Sequence, residues 1–162
     1  MKYRLLTDEE LIILEEDLKQ FLIVNHVYKE EWAKMNQENP ELAQELIVLF
    51  SDEVLQIVYE KIKFLEFRST ESCFVFHCKP EQIQLISMQR KSPNSPVDFS
   101  TPESIHEALV KFPNEITFMH SEKKYNDVRE KEIHQMLEQG CLNSTASFWN
   151  SIEEVVKFQS KS

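Results

Sequence analysis

The sequence predicts an α+β protein, a small antiparallel sheet of about four strands with helices packed on it and a helical N-terminal third. Three observations carry this reading. Up to Lys63 the apolar residues recur with a period of about 3.6, the period of a helix with one buried face. From Phe64 to Arg90 the period falls to about 2, as in strands. The breaks between those strands, Ser69-Thr70-Glu71-Ser72 and Lys79-Pro80-Glu81, are of hairpin length, so the ladder is antiparallel. The chain has 162 residues, room for one compact domain by the usual size of about 100–200 residues. A single domain over 1–162 is expected, helical over 1–63, a β-meander over 64–90 and a mixed αβαα part over 100–158.

Thr7 and Glu10 form a capping-box signature. Leu11, Leu14, Leu18, Phe21 and Leu22 follow on one stripe, which predicts a first helix from Asp8 to Val24. Tyr28 to Gln37 reads as a short helix anchored by Trp32 and Met35. Asn39-Pro40 restarts the chain as N-cap and first helical residue. Ala43, Leu46, Ile47 and Phe50 give the third helix its face, and Ser51-Asp52-Glu53 either caps a fourth or lies within one continuous helix. Strands are expected around Phe64–Arg68, Cys73–Cys78 and Ile83–Met88, with Phe74, Phe76 and Cys78 on one face. Thr101-Pro102 opens a helix with Ile105, Ala108, Leu109 and Phe112 inward. Ile116–His120 reads as a fourth strand, and Asn126–Gln139 as a helix stopped by Gly140 at the C′ position. A last helix through Phe158 is capped by Ser144 or Ser147. The expected core is Leu14, Leu18, Phe21, Phe74, Phe76, Leu85, Ile105, Leu109 and Trp149.

Composition removes several function classes. A single glycine, Gly140, leaves no Walker loop and no G-x-G-x-x-G turn, each of which needs at least two. A net charge of −10 argues against general adhesion to nucleic-acid phosphates or anionic membranes. The charge is uneven, with 5 basic and 14 acidic residues over 1–60 but 6 and 3 over 61–91. The N-terminus turns acidic before any apolar signal region, and no run is long enough to span a bilayer. Three cysteines at irregular spacing suit reduced thiols and a cytoplasmic address.

Little else in the sequence offers chemistry. Cys73 and His77 lie roughly 13 Å apart along a strand, too far for one zinc, and His77 and Cys78 point to opposite faces. No metal site and no cofactor are expected. Cys141 follows a helix C-terminus, where the dipole disfavours a thiolate. His134 sits between Glu130 and Glu138 at helical spacing, a carboxylate–imidazole arrangement that general bases use and that solvated helix faces also show. His120 ends a strand and enters the polar stretch Glu122-Lys123-Lys124-Tyr125, a place where binding residues collect. No H-E-x-x-H, G-x-S-x-G or S-x-x-K pattern is present. Lys61, Lys63, Arg68, Lys79, Arg90 and Lys91 interleave with Phe64, Phe67, Phe74 and Phe76, in the manner of an RNA-binding sheet. The alternation turns Phe74 and Phe76 toward the helices, and the glycine of an RNP motif is missing.

Met1-Lys2-Tyr3-Arg4-Leu5-Leu6-Thr7 with the Glu-Glu-Leu that follows, Phe50-Ser51-Asp52 through Lys63-Phe64-Leu65-Glu66, Glu122-Lys123-Lys124-Tyr125 and His134-Gln135-Met136-Leu137-Glu138-Gln139-Gly140 together resemble an uncharacterised family of small hypothetical proteins from Bacteroidetes. The likeness spans nearly the whole chain. It implies a bacterial cytoplasmic single-domain protein and transfers no catalytic residue.

The leading expectation is therefore a non-enzymatic cytoplasmic protein-interaction or regulatory module. Its partner surface would be the isoleucines left off the first helix's stripe, Ile12, Ile13 and Ile23, or the loop residues Lys123, Lys124 and Tyr125. A protein partner or self-association fits, and nucleic acid, membrane and nucleotide do not. The alternative is a small hydrolase-like enzyme using His120 or His134 with Glu122, Glu130 or Glu138. A second alternative is RNA binding through the basic 61–91 sheet. A closed cleft holding His120 and an acid would favour the enzyme; an exposed apolar stripe would favour the module.

Overall fold

The computed structural model describes residues 1–161, with side chains through Lys157; Ser162, the last residue of the expected domain, lies outside the described residues. The capping box forms as the sequence predicts: the Glu10 N–H donates to Thr7 Oγ1 at 3.2 Å and the Thr7 N–H to Glu10 Oε1 at 2.9 Å. The helix it opens breaks at Leu14 into α1 (Asp8–Ile13) and α2 (Glu15–Val24). Glu15, Glu16 and Asp17 supply the reason, since three acids in a row suit the first turn of a new helix. Helix α2 closes in a Schellman turn, with the Val27 N–H on Leu22 O at 2.8 Å and the His26 N–H on Ile23 O at 2.9 Å. His26 takes the left-handed position, φ 62°, usually given to glycine.

The next two helices are α3 (Lys29–Glu38) and α4 (Pro40–Lys61), so the third and fourth helical stretches are one helix. Ser51, a candidate cap in the sequence, lies fully buried in the middle of α4 and accepts the Leu6 N–H at 3.0 Å. The neighbouring Asp52 carboxylate accepts the N–H groups of Lys2 at 2.8 Å and Tyr3 at 3.1 Å. These bonds satisfy backbone donors that helix and sheet leave over. Tyr3 and Tyr59 meet edge to face with ring centroids 5.0 Å apart, an arrangement that aromatic quadrupoles favour. Phe21 lies 5.4 Å from Phe50.

The chain divides into two compact units, Met1–Glu60 and the part from Lys61 onward. The second unit carries β1 (Phe64–Arg68), β2 (Ser72–Cys78), β3 (Gln82–Arg90), α5 (Pro102–Lys111), β4 (Ile116–Lys124), α6 (Arg129–Glu138), β5 (Leu142–Asn143) and α7 (Ala146–Lys161). The five strands form one antiparallel sheet in the order β4-β3-β2-β1-β5. Strand β5 has only two residues and no periodicity to betray it. Strand β4 runs four residues past its expected end, so the stretch that reads as a polar loop after His120 is strand as far as Lys124. Helix α7 is capped by Thr145, whose Oγ1 accepts the Phe148 N–H at 3.1 Å, and neither by Ser144 nor by Ser147.

Register assigns the two faces. Cys73, Val75, Ile86 and Met88 share one, and with Val97, Phe99, Ile105, Ala108, Ile116, Trp149 and Ile152 they make the main core beneath α5 and α7. Phe74, Phe76, Ile83 and Leu85 lie on the other, which meets α6. Of the expected core, Ile105 and Trp149 are buried; Leu14, Leu18, Phe21, Phe74, Phe76, Leu85 and Leu109 are half-buried. The choice of sheet face is the physical reason within the sheet: two helices cover the Val75 face, and a single ten-residue helix covers the Phe76 face. Val97 and Phe99, which follow the Ser92–Pro96 loop, are wholly buried.

Candidate functional site

Helix α6 stands off the sheet enough to leave a cleft of about 430 Å³. Phe76, Ile83 and Leu85 give it an apolar sheet wall, and Met136 with Gln135 and Gln139 faces them from α6. The register sets Phe76, Leu85 and Ser121 side by side across three strands, and Cys78, Ile83 and Lys123 in the next row. Lys123 reaches the Glu132 carboxylate at 3.7 Å across the mouth. Glu132 Oε2 also accepts the Asn126 N–H at 2.8 Å, which ties the turn before α6 to its first turn.

The helix is held by Arg129, whose guanidinium donates to Cys78 O at 3.1 Å and to Ile62 O and pairs with Glu130 at 3.0 Å. Gly140, at φ 106°, ends α6 in a second Schellman turn. Its own N–H bonds Leu137 O at 3.1 Å, and the Cys141 N–H bonds Met136 O at 3.0 Å. That turn delivers Cys141 to the cleft. Burial pushes the Cys141 thiol up, and pushes Cys78 and Cys73 up to about 12. All three are protonated thiols at neutral pH.

The residues expected to act fall in several places. Glu122 and Lys123 line the cleft, although the Glu122 carboxylate accepts from Gln84 at 3.3 Å and Gln82 at 3.5 Å. His120 pairs in register with Ile86, so it lies on the face opposite Ser121 and Lys123 and outside the cleft. Lys124 is exposed at the strand end. Tyr125 is half-buried and donates to Lys79 O at 2.7 Å; burial pushes its hydroxyl up to about 12. His134 is half-buried on α6, Glu138 is exposed, and Glu130 is committed to Arg129. Among the described residues no three His, Cys, Asp or Glu side chains gather where they could hold a metal ion. Arg129, Glu132 and Cys141 are the cleft-forming residues that the sequence does not advertise, because each acts through contacts distant in the chain.

The N-terminal unit offers an apolar surface. Ile12, Ile13 and Val24 are 72, 81 and 75% exposed. Ile23, still 45% exposed, joins Leu22, Val27, Tyr28 and Trp32 around a groove of about 250 Å³ whose rim carries Lys19 and Lys29. The 28–35 segment leaves Ile12 and Ile13 uncovered and covers Ile23 only in part. Of the basic residues in 61–91, Arg68 pairs with Glu66 at 2.6 Å, and Arg90 donates to Val97 O at 2.6 Å and to Pro93 O at 3.3 Å.

Sheet, cleft and capped helices define an α+β protein with no nucleotide loop, and among the described residues no helix is long and apolar enough to cross a membrane. The chain belongs to a family of unknown function, DUF6495, whose model matches residues 1–157. No curated protein and no solved structure matches it. The segments on which the sequence resembles an uncharacterised family meet in space in two pairs: residues 2–6 bond to Ser51 and Asp52, and Glu122–Lys123 faces Gln135, Met136 and Gln139 across the cleft.

Proposed function

We propose that this protein is a non-enzymatic interaction or regulatory module that docks a partner protein on the apolar surface of its N-terminal unit, working in the cytoplasm of a bacterium of the Bacteroidetes. One observation carries the reading: Ile12 and Ile13 stand almost fully in water on a short helix of an otherwise strongly acidic unit. Single exposed apolar residues are ordinary. Here two adjacent isoleucines are followed by an aromatic-lined groove at Ile23, Tyr28 and Trp32. Burial of such a surface against a partner is favourable at about 25 cal/mol per Å².

The position of His120 weighs against the hydrolase-like alternative. It lies on the sheet face opposite the cleft, whose own thiol, Cys141, is pushed up by burial and protonated. The RNA alternative loses support where Arg68 and Arg90 are spent on contacts within the chain. A regulatory small ligand has support of its own in the cleft of about 430 Å³ with its apolar wall and polar rim, which is of ordinary ligand-pocket size.

The test is capture from native cytosol by the wild type and by Ile12→Glu/Ile13→Glu, each checked for unchanged circular dichroism. Loss of a captured protein in the variant supports the module. Undiminished capture by the variant, or capture that depends on His120, refutes this surface.

A further inference from the structure

Strand β4 is an edge strand of nine residues, paired only with β3, and among the described residues no hydrogen bond beyond that ladder reaches the backbone of residues 117–124. Such an edge is a template for another strand. Edges are commonly blunted by charge, yet here the Asp, Glu, Lys and Arg residues of the strand are confined to Glu122, Lys123 and Lys124, and Ile116–Ser121 contains none. The strand is exposed from Met119 onward, and Met119 is its most exposed apolar side chain at 58%.

We propose that β4 pairs with β4 of a second copy of this chain about a two-fold axis at Met119, making one continuous sheet across both copies. In a regular antiparallel pair, a residue whose N–H and C=O point outward faces another such residue. A strand pairing with its own copy must therefore be centred on a residue. Centring on His120 would set Phe118 against Glu122 and Ile116 against Lys124. Centring on Ser121 would set Met119 against Lys123 and Phe118 against Lys124. Centring on Met119 sets Met119 against itself, Thr117 against Ser121, Phe118 against His120 and Ile116 against Glu122. It also sets Glu115 against Lys123, each unlike pair occurring twice. Glu115 stands one residue before the strand, at the end of the short 3-10 turn Pro113–Glu115, and its carbonyl accepts the Lys91 N–H at 3.0 Å. Of these three registers, only the Met119 one places opposite charges face to face and brings the exposed methionines together.

The two-fold axis stands perpendicular to the sheet, so the Phe76 faces of both copies lie on the same side. Thr117 and Glu115 of the second copy then stand beside Ser121 and Lys123, and each cleft gains a wall on its open β4 side. The proposal is independent of the partner surface on the N-terminal unit, and its variants touch neither Ile12 nor Ile13.

Sedimentation and light scattering across a concentration series are expected to give a dimer. Glu115→Lys, which sets Lys against Lys twice, should weaken it by at least about tenfold, and Glu115→Lys/Lys123→Glu should restore it. With Cys141→Ser as background, Met119→Cys should form an intermolecular disulfide on mild oxidation, whereas Thr117→Cys and Ser121→Cys, which face other residues, should form little. A monomer at every concentration overturns the proposal. So does a dimer that Glu115→Lys leaves intact, or one in which Met119→Cys cross-links no better than its neighbours.

Discussion

The His77 imidazole stacks on the Phe64 ring with centroids 4.5 Å apart and planes 23° from parallel, while Trp149 meets it edge-on at 5.4 Å. Burial, and then Lys79, holds His77 below the ordinary imidazole value of 6.5. The folded state therefore prefers the neutral ring. Its contribution to stability is complete above about pH 6.5 and is lost as the pH falls through the lower folded value. Urea titrations at about pH 7.5 and about pH 5 should show the loss, and His77→Gln should remove that part of the pH dependence. A stability that rises as the pH falls over this window would contradict the assignment.

Phe99→Ala should cost about 3–5 kcal/mol, because the side chain is wholly buried between sheet and helix and its loss leaves a cavity. Phe76→Ala should cost less, since its ring borders an open cleft. Paired denaturation curves decide it, and the reverse order would mean that the Phe76 face is the true core.

These two positions show what the sequence made legible. Alternation along β2 and β3 placed Phe74 and Phe76 on one face, but alternation is symmetric between faces. Which face becomes the core depends on where α5 and α7 pack, an interaction between residues far apart in the chain. Capping signals at Thr7, Asn39-Pro40 and Thr101 are local, and the structure follows them. Strand β5 and the cleft have no local signature. Lys123 could be singled out as polar sequence after a strand, but Glu132 and Cys141 join it only once α6 folds back over β3.

Gly140→Ala should destabilise by about 1–3 kcal/mol, the range for a non-glycine residue forced into a sparsely populated backbone region. A Cβ there would stand 3.3 Å from Phe67 Cε2 at a φ of 106°. Thermal unfolding of the single variant checks this, and an unchanged midpoint would contradict the close approach.

Thiol titration should find Cys141 reacting first, and slowly, at neutral pH, since it is the one cysteine only half-buried, with Cys73 and Cys78 reacting on unfolding. Cys73 or Cys78 labelled ahead of Cys141 in the folded protein would contradict the burial order. A molecule seated in the cleft should protect Cys141, which makes the labelling rate an assay for ligands.

Methyl-labelled isoleucine resonances, followed by NMR as native cytosolic extract is added, address partner docking most directly. The Ile12, Ile13 and Ile23 methyls should broaden or shift while those of buried Ile105, Ile133 and Ile152 hold their positions, and Ile12→Glu/Ile13→Glu should abolish the response at Ile23. Exposed isoleucine methyls that remain sharp and unmoved in extract, or a response confined to the cleft residue Ile83, would contradict a partner-docking surface on the N-terminal unit.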